Sequence, residues 1–334
     1  MHRDVLIDLI RYAVMAPSSH NTQPWLFTLG DNEILVHPDF KRRLPVVDSD
    51  DHALFISLGC ALENLAIAAE HAGAHATLEY FPDDTEAAAI RVRLADRKPE
   101  HTGNRDCATS RLFAAIPARQ STRRAYDGRA LPQAVHEALQ AVAAAPLVRT
   151  EMITERLETE TAIRHVEAAC RAQFEDPAFV AELMHWIRFS RRESKSSRDG
   201  LAARVMGLPS APRWLGQQFM RLATGPRREA ARTAAQVRSS SALMVFSVNE
   251  DTPEAWVRAG QSFQRVALWA TTEGLKHAHV NMPCEVPSVR ERLRQSLGLA
   301  GRPVLLIRLG YAEAMPASYR RPLADVIRES GDPS

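Results

Sequence analysis

Three short stretches of this 334-residue chain carry side chains that could act together on a ligand. Arg119, Ser121 and Arg123 occupy alternate positions, so on an extended or early-helical segment two guanidinium forks and one hydroxyl face a single anion, as a phosphate requires. Tyr319-Arg320-Arg321-Pro322 offers a second arginine pair beyond a Gly310-Tyr311 turn. Residues 16–25, Ala-Pro-Ser-Ser-His-Asn-Thr-Gln-Pro-Trp, form a polar loop bracketed by prolines, whose hydroxyls, amide and backbone N–H groups can meet a flat polar heterocycle. Each stretch has a plainer reading. Of the 42 basic residues 38 are arginine, so a lone Arg-x-Ser-x-Arg pattern is weak evidence against chance, the Arg320-Arg321 pair suits a solvated surface, and Ser and Asn at a helix exit can satisfy their own backbone.

Other candidate groups fail on spacing. His71 and His75 are interrupted by Gly73, and His277 and His279 merely share one face of a short strand, so no metal site is expected. Gly260-Gln-Ser262-Phe-Gln264 lacks the last glycine of a nucleophile elbow and is read as a helix start, which argues against hydrolase chemistry. Cys60, Cys107, Cys170 and Cys284 are too dispersed for a disulfide framework or a paired-cysteine metal site, and reduced thiols are expected. Cys284, beside Glu285, is either redox-sensitive or a small buried apolar residue.

The length suggests about two domains or one doubled unit at the usual ~150 residues each. A repeat supports the doubled unit. From Gly59 and from Gly260 the chain runs fourteen residues to a second glycine (Gly73, Gly274) and nine more to a proline (Pro82, Pro283). Leu62, Leu65, Ala66 and Ala69 are answered by Phe263, Val266, Ala267 and Ala270, so each copy reads as a buried helix, a glycine cap and a short strand. Upstream, helices ending at Pro17 and Pro146 also correspond, with Leu6, Leu9 and Ile10 answered by Val135, Ala138 and Leu139. The second copy holds about 72 extra residues, read as an inserted helical subdomain at about 170–240. Residues 185–240 within it carry twelve Arg or Lys against three acids. Further strands are expected at 25–29, 34–37, 89–94, 243–248 and 304–309. Helices and strands mix without a βαβ rhythm, so the fold class is α+β in two related halves, residues 1–115 and 116–334. No uncharged apolar run approaches the ~18 residues of a membrane span, and Asp4, Asp8 and Arg11 interrupt what would be a signal peptide, so a cytoplasmic protein is expected.

Taken together, the loop at 16–25, Arg-Gln-Ser-Thr-Arg at 119–123, Met-Pro-Cys-Glu-Val-Pro at 282–287 and the segment 308–327 resemble the nitroreductase family of flavoproteins. The tandem arrangement and the insertion are similar to its Acg-like branch. The resemblance implies a nitroreductase-like fold duplicated in one chain as a pseudo-dimer with an inserted lid. In the family two subunits build each FMN site. Carried over, Arg119, Ser121, Arg123 and Arg320 would hold the FMN phosphate, with Arg321 able to replace Arg320. Pro17, Ser18, Ser19 and Asn21 would line the ring, and the backbone of Glu285 and Val286 would approach flavin N5, although the family's usual glycine is Val286 here.

Since each half holds only part of a site, one FMN per chain is expected, in a monomer or loose homodimer. The implied activity is FMN-dependent transfer from NAD(P)H to a nitroaromatic, quinone or similar small-molecule acceptor. A non-catalytic protein storing FMN beneath its lid is the alternative. Nucleic-acid binding is disfavoured, because no recognised motif or aromatic ladder accompanies the basic segment.

Overall fold

Helix α1 (Arg3–Ala13) buries Leu6, Leu9 and Ile10, a stripe at helical spacing, and ends shortly before Pro17. The computed structural model describes residues 2–83, 88–96, 107–223 and 225–329. After the polar loop come β1 (Trp25–Leu29) and β2 (Glu33–Pro38), joined by the three-residue turn 30–32. Helix α2 (His52–His71), capped by Gly73 at φ +85°, then leads into the antiparallel pair β3 (Ala74–Tyr80) and β4 (Ile90–Asp96), and α3 (Cys107–Ala115) follows.

The second half repeats this order. Helix α4 (Gln133–Ala143) precedes β5 (Val148–Ile153), but the turn that should follow is replaced by the whole connection 154–241. It contains α5 (Arg156–Glu175), α6 (Pro177–Trp186), β6 (Ile187–Arg188), α7 (Arg191–Ser197), β7 (Leu201–Ala202), α8 (Arg213–Ala223) and α9 (Pro226–Arg238). The excursion therefore begins earlier than the expected 170. Then come β8 (Ala242–Val248), α10 (Pro253–Thr272), β9 (Lys276–His279), α11 (Met282–Glu285), α12 (Pro287–Ser296), β10 (Arg302–Gly310) and β11 (Ile327–Arg328).

The architecture is α+β. One sheet runs β11-β1-β2-β4-β3 and the other β5-β8-β10-β9. Without β11 the two have the same order, and every neighbouring pair is antiparallel in both. Strand β5 was not anticipated from Val-Arg-Thr-Glu-Met-Ile, because an edge strand with one wet face needs few apolar residues. β11 belongs to the second half by sequence yet pairs in parallel with β1, Phe27 opposite Ile327. To get there the chain after β10 crosses to the N-terminal loop, carrying residues 319–321 with it.

The helices α2 and α10 cross at the centre, packed through Gly59 and Gly260. These glycines lie in mid-helix, so the expected helix start at Gly260 is corrected: the helix begins seven residues earlier, at Pro253, and the glycine is there for close packing. One core cluster runs through both halves, joining Trp25, Phe27 and Ile34 to Phe246, Phe263 and Ile307. Each such side chain contributes about 1.5–3 kcal/mol on full burial, so the halves are bound by their shared interior. α2 is long and apolar enough to cross a membrane, and 94% of its apolar window is buried inside the protein.

Candidate functional site

The N-terminal loop is held in an unusual backbone shape. His20, Asn21 and Gln23 have φ of 48°, 56° and 54°, left-handed values that are uncommon outside glycine, although Asn and His adopt them more readily than most. The contacts that hold the loop come from far along the chain. The Asn21 side-chain amide donates to the carbonyls of Gly200 and Tyr319, the Gln23 amide donates to Arg198 O, and Arg321 N–H donates to Gln23 Oε1. Locally, Ser18 Oγ accepts the Gln23 N–H at 2.9 Å. The loop is thus clasped by the insertion on one side and by the C-terminal crossing on the other.

The 119–123 segment is extended, bridged in parallel to the edge strand β9 through Ser121 and His277, with Thr122 N–H donating to His277 O at 2.8 Å. That conformation sends Arg119, Ser121 and Arg123 to one side and buries Thr122 on the other. Beneath it lies Arg308 of β10, 1% exposed, whose guanidinium donates to the carbonyls of Thr122, Arg124 and Gln236 and stacks 4.0 Å over Tyr126. Tyr126 Oη also donates to Thr122 O. An arginine inside the apolar run 304–309 was the sequence signal for this support, and the sequence reading missed it.

Two cavities meet at Pro17, Ser18, Arg123 and Leu201. The smaller, about 240 Å³, gathers Arg119, Ser121, Arg123, Arg320 and Asn21. The larger, about 300 Å³, runs from Ser19 and His20 across Ile56, Ser57 and Cys60 of α2 to His279, Asn281 and Glu285. Its far wall is the insertion: Gln173 and Phe174 of α5, Phe179 and Leu183 of α6, and Met220 of α8. Together they match the size of a small-molecule or cofactor site.

The smaller cavity is built for an anion. Arg119 is 7% exposed, and its Nε and Nη1 have no hydrogen-bond partner; neither does the buried Nε of Arg320. Burial, reinforced by the neighbouring guanidinium charges, pulls the Arg119 pKa down to about 10 and that of Arg320 to about 9. No carboxylate lines this cavity among the described residues. Buried cations without a counter-charge are costly, and a phosphate dianion would remove that cost while filling the vacant donors. In the larger cavity burial and the Arg123 charge push His20 down to about 4 and His279 to about 3, so both imidazoles are neutral near pH 7. Neither had been singled out as a site residue. Burial pushes the Glu285 carboxyl up, although Gln173 Nε2 donates to it at 2.6 Å.

Two expected site residues are placed elsewhere. Arg321 turns away from the cavities and donates to Gln23 O and Asp325 O beside Asp39, so of the pair only Arg320 faces the anion site. Val286 lines neither cavity, and its N–H is consumed by Met282 O within the turn of α11, as the Glu285 N–H is by Asn281 O. What reaches the cavity at this point is the Glu285 side chain. Cys284 is fully buried, and the surrounding apolar packing pushes its thiol pKa up.

No family model matches the chain. Two Mycobacterium tuberculosis proteins, each named "Putative NAD(P)H nitroreductase", are similar to it: one is 28% identical over 96% of this chain and 90% of its own, and the other, acg, is 26% identical over 97% and 95%. The resemblance read from the motifs therefore extends along nearly the whole chain. Among solved structures, an FMN-dependent nitroreductase of Mycobacterium smegmatis in complex with NADPH aligns with 14% identity and a TM-score of 0.43, covering 67% of this chain and 98% of its own. A Bacteroides fragilis nitroreductase with bound FMN aligns with 17% identity and a TM-score of 0.38, covering 60% and 88%.

Proposed function

We propose that this chain is an FMN-dependent NAD(P)H oxidoreductase of the nitroreductase type, with its flavin in the two joined cavities. The observation that carries the reading is the pair of buried arginines, Arg119 with Nε and Nη1 unpartnered and Arg320 with Nε unpartnered, in a cavity that no carboxylate lines among the described residues. The relatives' names point the same way. FMN bound there would supply the redox chemistry, between a reduced nicotinamide as hydride donor and a nitroaromatic, quinone or similar acceptor.

The protein's part is to bind, orient and exclude water. Arg119, Arg123, Ser121 and Arg320 hold the phosphate, and Arg308 with Tyr126 keeps their backbone extended. Pro17, Ser18, Ser19, His20 and Asn21 flank the ring's side of the site, and neutral His20 and His279 can each both donate and accept a hydrogen bond. The inserted helices α5, α6 and α8 act as a lid that limits water and bulky acceptors.

The proposed stoichiometry is one FMN per chain, between halves 1–115 and 116–334. The glycine pair sets an offset of 201 residues between the copies, so Ile56, Ser57 and Cys60 of the cavity wall correspond to Val257, Arg258 and Gln261. At that mirrored position Tyr80 Oη donates to Gln261 Oε1 at 2.8 Å and Arg258 lies 4.4 Å over the Tyr80 ring, closing the space. His279 corresponds there to Leu78.

The roofed cavity also favours a second reading, a protein that stores FMN without turning it over. Anaerobic mixing of the FMN-loaded protein with NADH or NADPH separates the two. Rapid bleaching of flavin absorbance is the expected result. No bleaching with either nucleotide, while dithionite still reduces the flavin, would establish the storage reading, and binding of two FMN per chain would refute the asymmetric site.

A further inference from the structure

We propose that a separate basic cleft in the inserted segment binds the phosphorylated adenosine end of the electron donor, and that the donor is the 2′-phosphorylated dinucleotide, NADPH. The inference rests on the oxidoreductase reading above and adds a site to it. The cleft has a volume of about 1040 Å³ and is distinct from the two flavin cavities. Its cations are Arg191, Arg192 and Lys195 on α7 and Arg204 just beyond β7.

Three features argue for a nucleotide here. The first is uncompensated charge. Arg191, Arg192 and Lys195 are exposed and form no ion pair among the described residues, and no carboxylate lines the cleft there. The nearby acids are already engaged, Glu193 with Arg213 and Asp199 with Arg42 and Arg188. Four positive charges match a bridging diphosphate plus a 2′-phosphate, about four negative charges in all, and exceed what the diphosphate of NADH brings.

The second feature is shape and surface. Arg204 is stacked 4.5 Å over the Tyr319 ring, donates to Ala317 O, and keeps a buried Nε with no partner. Phe189, Leu208 and Pro209 add an apolar wall suited to an adenine, next to the charges that suit its phosphates. A walled cleft of this kind fits a small polyanion better than a duplex backbone, which wants an open basic face.

The third is position. Residues 201–206 form a thin partition: Leu201, Val205 and Met206 face the flavin cavities, while Ala203 and Arg204 face the cleft. The C-terminal crossing does the same, Arg320 on one side and Tyr319 on the other. An extended dinucleotide anchored in the cleft lies beside the cofactor site.

The test is calorimetric titration of the FMN-loaded protein with 2′,5′-ADP, 5′-AMP and adenosine, repeated for Arg192→Ala and Lys195→Ala, with FMN affinity measured in parallel by fluorescence. FMN loading blocks the cofactor's own phosphate site. The expected result is measurable 2′,5′-ADP binding, at least tenfold weaker in either variant, weaker still for 5′-AMP and absent for adenosine, with unchanged FMN affinity. No 2′,5′-ADP binding to a protein that holds FMN normally overturns this proposal alone and leaves the oxidoreductase reading intact. Equal binding of 2′,5′-ADP by wild type and both variants also overturns it. Tighter, salt-sensitive binding of duplex DNA, lost in the same variants, would assign the cleft to nucleic acid instead. Failure of the wild type to bind FMN strikes the underlying reading, and the proposal with it.

Discussion

Gly59 and Gly260 face each other where α2 and α10 cross: a Cβ built on Gly260 would stand 3.0 Å from Gly59 Cα and 2.0 Å from Ile56 O, while one built on Gly59 would stand 2.0 Å from Val257 O. The contacts are reciprocal, since Ile56 and Val257 are themselves related by the repeat offset. The two copies of one element thus meet face to face at the only residue type that admits backbone against backbone. Gly59→Ala should destabilise the protein by at least about 2 kcal/mol in urea unfolding, because neither contacting atom is a side chain that can move aside. Gly225→Ala, where a Cβ meets open space and φ is −120°, should cost under about 1 kcal/mol.

The adjacent arginines at the C-terminal crossing should differ in FMN affinity: both brace the fold, Arg320 through Asn21 Oδ1, Tyr319 O and Met15 O, but only Arg320 lines the anion cavity. Arg320→Gln removes a charged donor from the anion cavity and should weaken FMN binding by about 10- to 100-fold, the usual worth of one charge-assisted hydrogen bond. Arg321→Gln should lower thermal stability through its lost bonds to Gln23 O and Asp325 O while changing FMN affinity less than about threefold. Fluorescence titration and thermal melting read the two effects.

Arg308 touches neither cavity and supports the anion site from below. Replacing it with Met would take the Arg308 donor from Arg124 O and leave Thr122 O with Tyr126 Oη and Gln236 O with the Ser239 and Ser240 hydroxyls. A loss of about 3 kcal/mol or more is expected, with an FMN affinity that falls further than riboflavin affinity, because the displaced segment carries the phosphate ligands. Equal loss for both flavins would mean a general unfolding effect.

Stability should pass through a maximum near pH 6.5. His20 and His279 are neutral in the fold, at about 4 and 3, but protonate near 6.5 once unfolded, so the unfolded chain binds more protons below that pH and stability falls as pH drops through this window. His52 acts oppositely. Against the penalty of burial, hydrogen bonds to Asp48 and Asp50, 3.0 and 2.6 Å from Nδ1, raise it to about 9, so its contribution is complete below 6.5 and is lost as pH rises through 9. The upper bound is about 8 kcal/mol for the acid limb, where two histidines act together, and about 3 kcal/mol for the alkaline limb. His52→Gln should flatten the alkaline limb and spare the acid one, as urea unfolding across pH would show.

The sequence by itself determined whatever depends on neighbours along the chain. The stripe of Leu6, Leu9 and Ile10 specifies α1, the glycine at φ +85° after α2 stops it, and the repeated Gly59 and Gly260 intervals mark the same helix-strand unit twice, because these features follow from backbone geometry within a dozen residues. The alternate spacing of Arg119, Ser121 and Arg123 likewise guarantees one face once the segment is extended. Only the tertiary structure decided which face that is, and which partners it meets. Arg320 enters the cavity and Arg321 leaves it because the crossing ends in β11 paired with β1, with Arg321 bonded to Gln23 and Asp325, and Val286 is withdrawn because its N–H closes a helical turn. His20 and His279, 259 residues apart, share one cavity only through the crossing of the two halves, a non-local relation that no local spacing encodes. The excursion 154–241 forms a cavity wall and a basic cleft for the same reason: its position is set by where the β5 and β8 strand ends lie, and its charges acquire meaning from which acids are already paired.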